Sequence, residues 1–77
     1  MERFIYIEIL EGDGSSYVFS GWSFEEPFVL LSEKPDDAEV YFFNDNDRMI
    51  MVAEDYEALT ELGYNASITS SSRYVGE

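Results

Sequence analysis

The side chains in this chain that could do chemistry are almost all carboxylates. Asp and Glu number 17 in 77 residues, against four Lys and Arg, no Cys and no His. Without His or Cys the chain lacks the usual general bases, thiol nucleophiles and transition-metal ligands. We therefore expect a protein that is not an enzyme, with no cofactor and no metal site.

Two carboxylate chemistries remain as less favoured alternatives. Asp45-Asn46-Asp47 supplies oxygen donors, but the register of an EF-hand calcium loop requires Gly at position 50 and Glu at position 56. This chain has Ile50 and Tyr56 there. Pairs of acids can also cleave glycosides, but in so acidic a chain such pairs arise by chance.

The net charge of −13 predicts the kind of partner. A field of this sign repels nucleic acid and anionic membranes and attracts basic protein surfaces. We expect a partner with a basic protein surface, and no direct contact to nucleic acid or to a membrane. The N-terminus has no secretory pattern and no apolar stretch approaches the roughly 20 residues that span a bilayer, so we expect a cytoplasmic protein.

The sequence pattern predicts a single α+β domain over residues 1–77, with a polar tail from about residue 70. Alternating β-branched and aromatic residues predict strands over 3–10, 16–22, 28–32, 39–43, 48–53 and 66–70. Loops 11–15 and 44–47 would close two hairpins. From Glu54 or Asp55 the apolar period becomes three, which predicts one helix ending before Gly63. The expected fold is a small antiparallel sheet of about five or six strands with one helix packed on one face.

More than half of the excess charge lies between Glu33 and Glu61. Ten acids face two bases there, a net charge of −8. The residues that we expect to bind the partner are Asp45, Asp47, Glu54, Glu57 and Glu61. Second choices are Asp36, Asp37 and Glu39.

Helix electrostatics separate these acids into two groups. In the predicted helix, Glu54, Asp55 and Glu57 fall in the first turn, where the helix dipole favours a carboxylate by about 0.3 to 1 kcal/mol each. Helix stability alone would explain them. Glu61 falls in the last turn, where a negative charge is unfavourable, and Glu57 lies four residues before it as a like-charged neighbour. The position of Glu61 therefore indicates a binding role more strongly than the positions of the first-turn acids do.

Aromatic side chains are more numerous than one helix can cover. Either sheet twist and loops cover the remainder, or a homodimer or partner interface does. The side chains concerned are Phe4, Tyr6, Tyr17, Phe19, Trp22, Phe24, Phe28, Tyr41 and Phe43.

The acids from Asp36 to Glu61, on an aromatic-rich α+β core, resemble as a charge pattern the small acidic inhibitors that bacteriophages make. These are DNA mimics such as certain anti-CRISPR proteins, anti-restriction proteins and uracil-DNA glycosylase inhibitors. No sequence motif carries the resemblance. It implies that the carboxylates occupy the phosphate-binding groove of a nucleic-acid enzyme, for example a CRISPR effector. Two alternatives stay open: an immunity protein or antitoxin that neutralises a basic nuclease, and a generic acidic interaction module whose charge serves only solubility.

Overall fold

The structure, a computed structural model, describes residues 2–73, and the side chains of residues 3–72. Within these residues, five strands and one α-helix follow one another. The strands are β1 (Glu2–Leu10), β2 (Ser16–Trp22), β3 (Val29–Ser32), β4 (Tyr41–Phe42) and β5 (Asn65–Arg73); the helix is α1 (Asn46–Glu61). A single 3₁₀ turn lies at Pro35–Asp37. The expected α+β class, an antiparallel sheet with one helix on one face, is confirmed.

Strand β1 is the centre of the sheet. One edge of β1 pairs with β5 along its whole length, from Glu2 opposite Arg73 to Leu10 opposite Asn65. The other edge pairs with β2 at residues 8–10 and with β4 at residues 4–5. Strand β2 pairs with β1 only at residues 16–18. Its pairing with β3 is irregular between Phe19 and Gly21, where Gly21 has a φ of 136° that other residues rarely adopt.

The core lies between the sheet and α1. Ile5, Ile7 and Ile9 alternate along β1 toward the helix, as the period of a strand requires, and are buried. They pack in one cluster with Phe19, Val29, Tyr41, Val52 and Leu59. The opposite sheet face carries Phe4 and Tyr6, whose rings lie 6.4 Å apart. The apolar stripe of α1 therefore covers one face of the sheet.

The first predicted hairpin is confirmed. Leu10 pairs with Ser16, and the loop between them closes through a hydrogen bond from the Glu11 N–H to the Ser15 carbonyl of 2.8 Å. Gly14 has a φ of 92°, which explains the glycine at that position. The Ser15 N–H donates to the Asp13 carboxylate and holds the pKa of Asp13 below its ordinary value.

The second predicted hairpin is wrong. Residues 48–53, predicted as a strand, form the first half of α1, and the predicted strand 39–43 shortens to Tyr41–Phe42. The Asp45 carboxylate accepts the N–H groups of Asp47 and Arg48 at 3.1 and 3.2 Å, so it caps a helix where a turn was predicted. A short apolar run does not by itself distinguish a strand from a half-buried helix.

The predicted tail from about residue 70 is also corrected. Ser70 and Ser71 pair with Ile5 and Phe4 inside β5, which ends at Arg73. Hydrogen bonding to a full-length neighbouring strand orders this serine-rich segment although its composition is polar. The remainder of the predicted tail lies outside the described residues.

Candidate functional site: the carboxylate row of α1

Four carboxylates lie along the solvent side of α1. At 3.6 residues per turn, Asp47, Glu54, Glu57 and Glu61 fall within an arc of about 80° around the helix axis, and the row is about 21 Å long. All four residues are exposed. We call this set the acidic row. Val52 and Leu59 lie on the opposite side of α1, buried in the core.

The helix is longer than predicted, which changes the positions of these residues relative to its ends. Because α1 begins at Asn46, Glu54 and Glu57 lie in its interior and not in its first turn, so the dipole explanation expected from the sequence does not apply to them. Asp47 is the one acidic residue of the first turn, and the last turn contains no basic residue. Helix stability thus explains Asp47 and leaves Glu54, Glu57 and Glu61 unexplained.

The carboxylates of the acidic row form no ion pair within residues 3–72. The ion pair found there joins Arg48 to Glu39 at 2.7 Å. Among the same residues, no group of three or more acids converges as metal ligands do. The row is a line of separated charges.

Glu39 and Asp37, both expected at the site, have partners of their own. Glu39 accepts from Arg48, whose guanidinium also donates to the Val40 carbonyl at 2.6 Å. The hydrogen bond with Glu39 raises the pKa of Arg48. Asp37 accepts from the Ser32 hydroxyl at 2.6 Å. The structure therefore gives both acids a role in the fold.

Asp36 and Asp37 do not join the acidic row. Ser32 pairs with Val18 and Val18 with Glu8, so all three side chains point to the sheet face opposite α1. Asp37, bonded to Ser32, is tied to that opposite face. Asp36 is its exposed neighbour in the 3₁₀ turn. Of the predicted residues, the structure unites Asp47, Glu54, Glu57 and Glu61, with Asp45 as the cap at one end.

Asp55 is the acid whose role the sequence did not indicate. Its Oδ1 accepts from Trp22 Nε1 at 3.0 Å and its Oδ2 accepts from the Tyr41 hydroxyl at 2.6 Å. Burial, and then this hydrogen bond, raises the pKa of Tyr41 above its ordinary value. We call Trp22, Tyr41 and Asp55 the carboxylate clip, because they join β2, β4 and α1.

Exposed aromatic side chains form a separate feature. In the loop between β2 and β3, the Phe24 side chain is fully exposed, at 103%. The Ser23 N–H closes this loop on the Phe28 carbonyl at 2.8 Å. The predicted surplus of aromatic surface is thus real at Phe24, Phe28, Trp22 and Phe43, whereas Phe19 and Tyr41 are buried.

Comparison of the chain with protein-family models, with curated proteins and with solved structures finds no match. Among residues 2–73, no helix has the length and apolar character needed to cross a bilayer.

Proposed function

We propose that this protein is a non-enzymatic acidic inhibitor whose acidic row occupies the nucleic-acid-binding surface of a basic protein. The observation that carries the proposal is the row itself: exposed carboxylates on one helix face, of which Glu54, Glu57 and Glu61 are explained neither by the helix dipole nor by an ion pair within the described residues. The proposed setting is the cytoplasm of a bacterium, with a phage-encoded chain acting on a host defence enzyme such as a CRISPR effector.

The spacing of the row supports mimicry of one phosphate strand. A DNA strand carries one phosphate per about 3.4 Å of helix axis, so about six phosphates span the length of the row. The row offers four carboxylates over that length, separated along the helix axis by about 10.5 Å, 4.5 Å and 6 Å, so its spacing approaches that of successive phosphates from Glu54 to Glu61. A cationic groove built for a phosphate backbone can contact this row with successive Lys and Arg side chains.

The remaining charge supports fast association. Loop acids such as Glu11, Glu25 and Glu33 are exposed and add to a field of one sign. Such a field steers a basic partner to the protein, and its effect falls as salt rises. The rate of association depends on the total charge of the protein, whereas the affinity of the complex depends on where the charges lie. Variants that lose the same number of acids at different positions therefore separate these two effects.

The test compares two variants of equal net charge. The row variant carries Asp47→Asn, Glu54→Gln, Glu57→Gln and Glu61→Gln; the matched control carries Glu11→Gln, Glu25→Gln, Glu26→Gln and Glu33→Gln, all at exposed positions. Each serves as bait in a bacterial lysate beside the original chain. Captured proteins are identified by mass spectrometry, eluted with a salt gradient, and challenged with a short random DNA or RNA duplex.

We expect the original chain and the control to retain a nucleic-acid-binding protein that the duplex displaces, and the row variant to lose it by at least about tenfold in affinity, or about 1.4 kcal/mol. Equal loss in both variants would show that only total charge matters. A captured protein that the duplex does not displace would contradict the proposal that the row mimics nucleic acid. The identity of the captured protein, a defence enzyme or a toxic nuclease, distinguishes a phage inhibitor from an immunity protein.

A further inference from the structure

The outer edge of β5 is an open strand edge. β5 pairs with β1 over nine residues, and no other strand within residues 2–73 pairs with it. Apart from the ladder with β1, the backbone of the described residues makes no hydrogen bond to β5. Half of the peptide groups of a strand point to each side, so this edge presents a row of donors and acceptors available for pairing.

The composition of β5 does not protect this edge. Residues 65–72 contain no charge, no proline and no glycine, in a chain whose net charge is −13. Strand β3, by contrast, is four residues long and is followed by Glu33, Lys34 and Pro35. Natural edge strands are usually short, charged or interrupted by proline, because a long uncharged edge pairs with other chains. β3 has these features, whereas residues 65–72 of β5 have none of them.

An apolar cleft lies above the same strand. Ile68 is 48% exposed on the helix side of β5, opposite Ile7. It lines a cleft of about 400 Å³ together with Ala53, Tyr56 and Thr60 of α1, and Glu57 and Glu61 stand at this cleft as well. The open edge and an exposed apolar side chain therefore coincide at Ile68.

We propose that a second copy of this chain covers the edge, by antiparallel pairing of β5 with β5 about a twofold axis at Ile68. In this register Ile68 meets Ile68 of the second copy, Ala66 meets Ser70, and Ser67 meets Thr69. No charged residue faces another along the paired segment, whereas contact through the acid-rich surfaces would oppose like charges. A basic partner would instead be drawn to the acidic row, which leaves the neutral edge to a self-complementary occupant.

This pairing has a geometric and an electrostatic consequence. Antiparallel pairing about an axis normal to the sheet keeps both α1 helices on the same face of a ten-stranded sheet, since each copy contributes five strands. The Glu57 and Glu61 carboxylates of the two copies then approach one another across the axis. Salt screens this repulsion, so the dimer should become more stable as salt rises. Binding to a basic protein should respond in the opposite sense.

The test is sedimentation velocity of the purified full chain over a concentration series, in about 50 mM and about 0.5 M NaCl. Ile68→Glu places two carboxylates directly opposite each other across the axis, which opposes pairing. Ile50→Glu is the matched control, because Ile50 is 60% exposed on the solvent side of α1 and the substitution is the same. Ile68→Lys also places two like charges opposite each other across the axis, but it makes the net charge less negative. It therefore distinguishes repulsion at the axis from an effect of total charge. Circular dichroism and thermal melting establish that each variant folds.

We expect the original chain and Ile50→Glu to dimerise, more strongly at high salt, and both Ile68 variants to weaken the dimer by at least about tenfold. In the dimer, hydrogen exchange of alternate β5 amides should slow as concentration rises. A chain that stays monomeric at high salt would overturn the proposal, as would an Ile68→Glu variant that dimerises like Ile50→Glu. If both Ile68 variants prove unfolded, the concentration dependence of β5 amide exchange in the original chain decides the question. None of these outcomes depends on inhibition of a nucleic-acid enzyme.

Discussion

The two sides of α1 carry carboxylates in opposite circumstances. On the sheet side, Asp55 accepts two hydrogen bonds and binds three elements together. On the solvent side, the acidic row has no ion-pair partner within the described residues. Adjacent residues such as Glu54 and Asp55 therefore differ in their surroundings although their chemistry is nearly the same. The carboxylates with partners stabilise the fold, and those without partners are available for binding.

The largest expected effect comes from the carboxylate clip. Asp55→Ala leaves the buried Tyr41 hydroxyl and the Trp22 N–H without their acceptor, so we expect a loss of about 2 to 3 kcal/mol in the free energy of unfolding. Glu54→Ala is the matched control and should change it by less than about 0.5 kcal/mol. Urea denaturation followed by circular dichroism measures both. Equal effects at these neighbouring positions would remove the distinction between the two sides of α1.

The cap of α1 comes next. Asp45→Ala removes the acceptor for the Asp47 and Arg48 N–H groups and should cost about 1 kcal/mol, whereas Asp45→Ser removes the charge but keeps a capping oxygen. We expect Asp45→Ser to retain most of the stability in the same urea experiment. If the serine variant is as unstable as the alanine variant, the charge of Asp45 and not its capping geometry is what matters.

Alkaline pH tests the clip in a different way. The raised pKa of Tyr41 means that the folded state keeps the phenol proton to higher pH than the unfolded state. The contribution of the protonated Tyr41 to the free energy of unfolding is complete below the ordinary tyrosine pKa of about 10. It is lost as pH rises above that value, because only the unfolded state then ionises this group.

Unfolding free energy measured against pH should therefore fall above about pH 10, and less steeply in Tyr41→Phe. Tyr6→Phe is the control, since Tyr6 lies on the sheet face away from α1 and its hydroxyl makes no hydrogen bond within the described residues. Equal slopes for the original chain and Tyr41→Phe would contradict the assignment.

The smallest effect should have the opposite sign. Glu61→Gln removes a negative charge from the last turn of α1 and ends its repulsion with Glu57, so we expect stabilisation by a few tenths of a kcal/mol. Thermal melting at low salt measures the gain, which should shrink as salt screens the repulsion. A loss of stability would show that Glu61 has a structural role, and the acidic row would then lose its most informative member.

The sequence permitted the class of fold to be predicted, together with strand β1 and the first hairpin. Those predictions depend on local signals: the alternation of Ile5, Ile7 and Ile9, and the glycines of the 11–15 loop. The predicted strand over 48–53 was wrong for an identifiable reason. Met49, Val52, Tyr56 and Leu59 do recur with the helical period, but residues 44–47 also have the composition of a turn, which hides the role of Asp45 as a helix cap.

Composition by itself determined that the chain is strongly acidic, lacks His and Cys, and has enough apolar residues for a core. Tertiary structure decided which carboxylates are engaged and which are available. Asp55 meets Trp22 and Tyr41, 33 and 14 residues away along the chain, and only packing of α1 on the sheet brings them together. The same packing turns Asp47, Glu54, Glu57 and Glu61 outward into one row. Local sequence sets the charge and the period, whereas long-range contacts choose the face of the helix that the core buries.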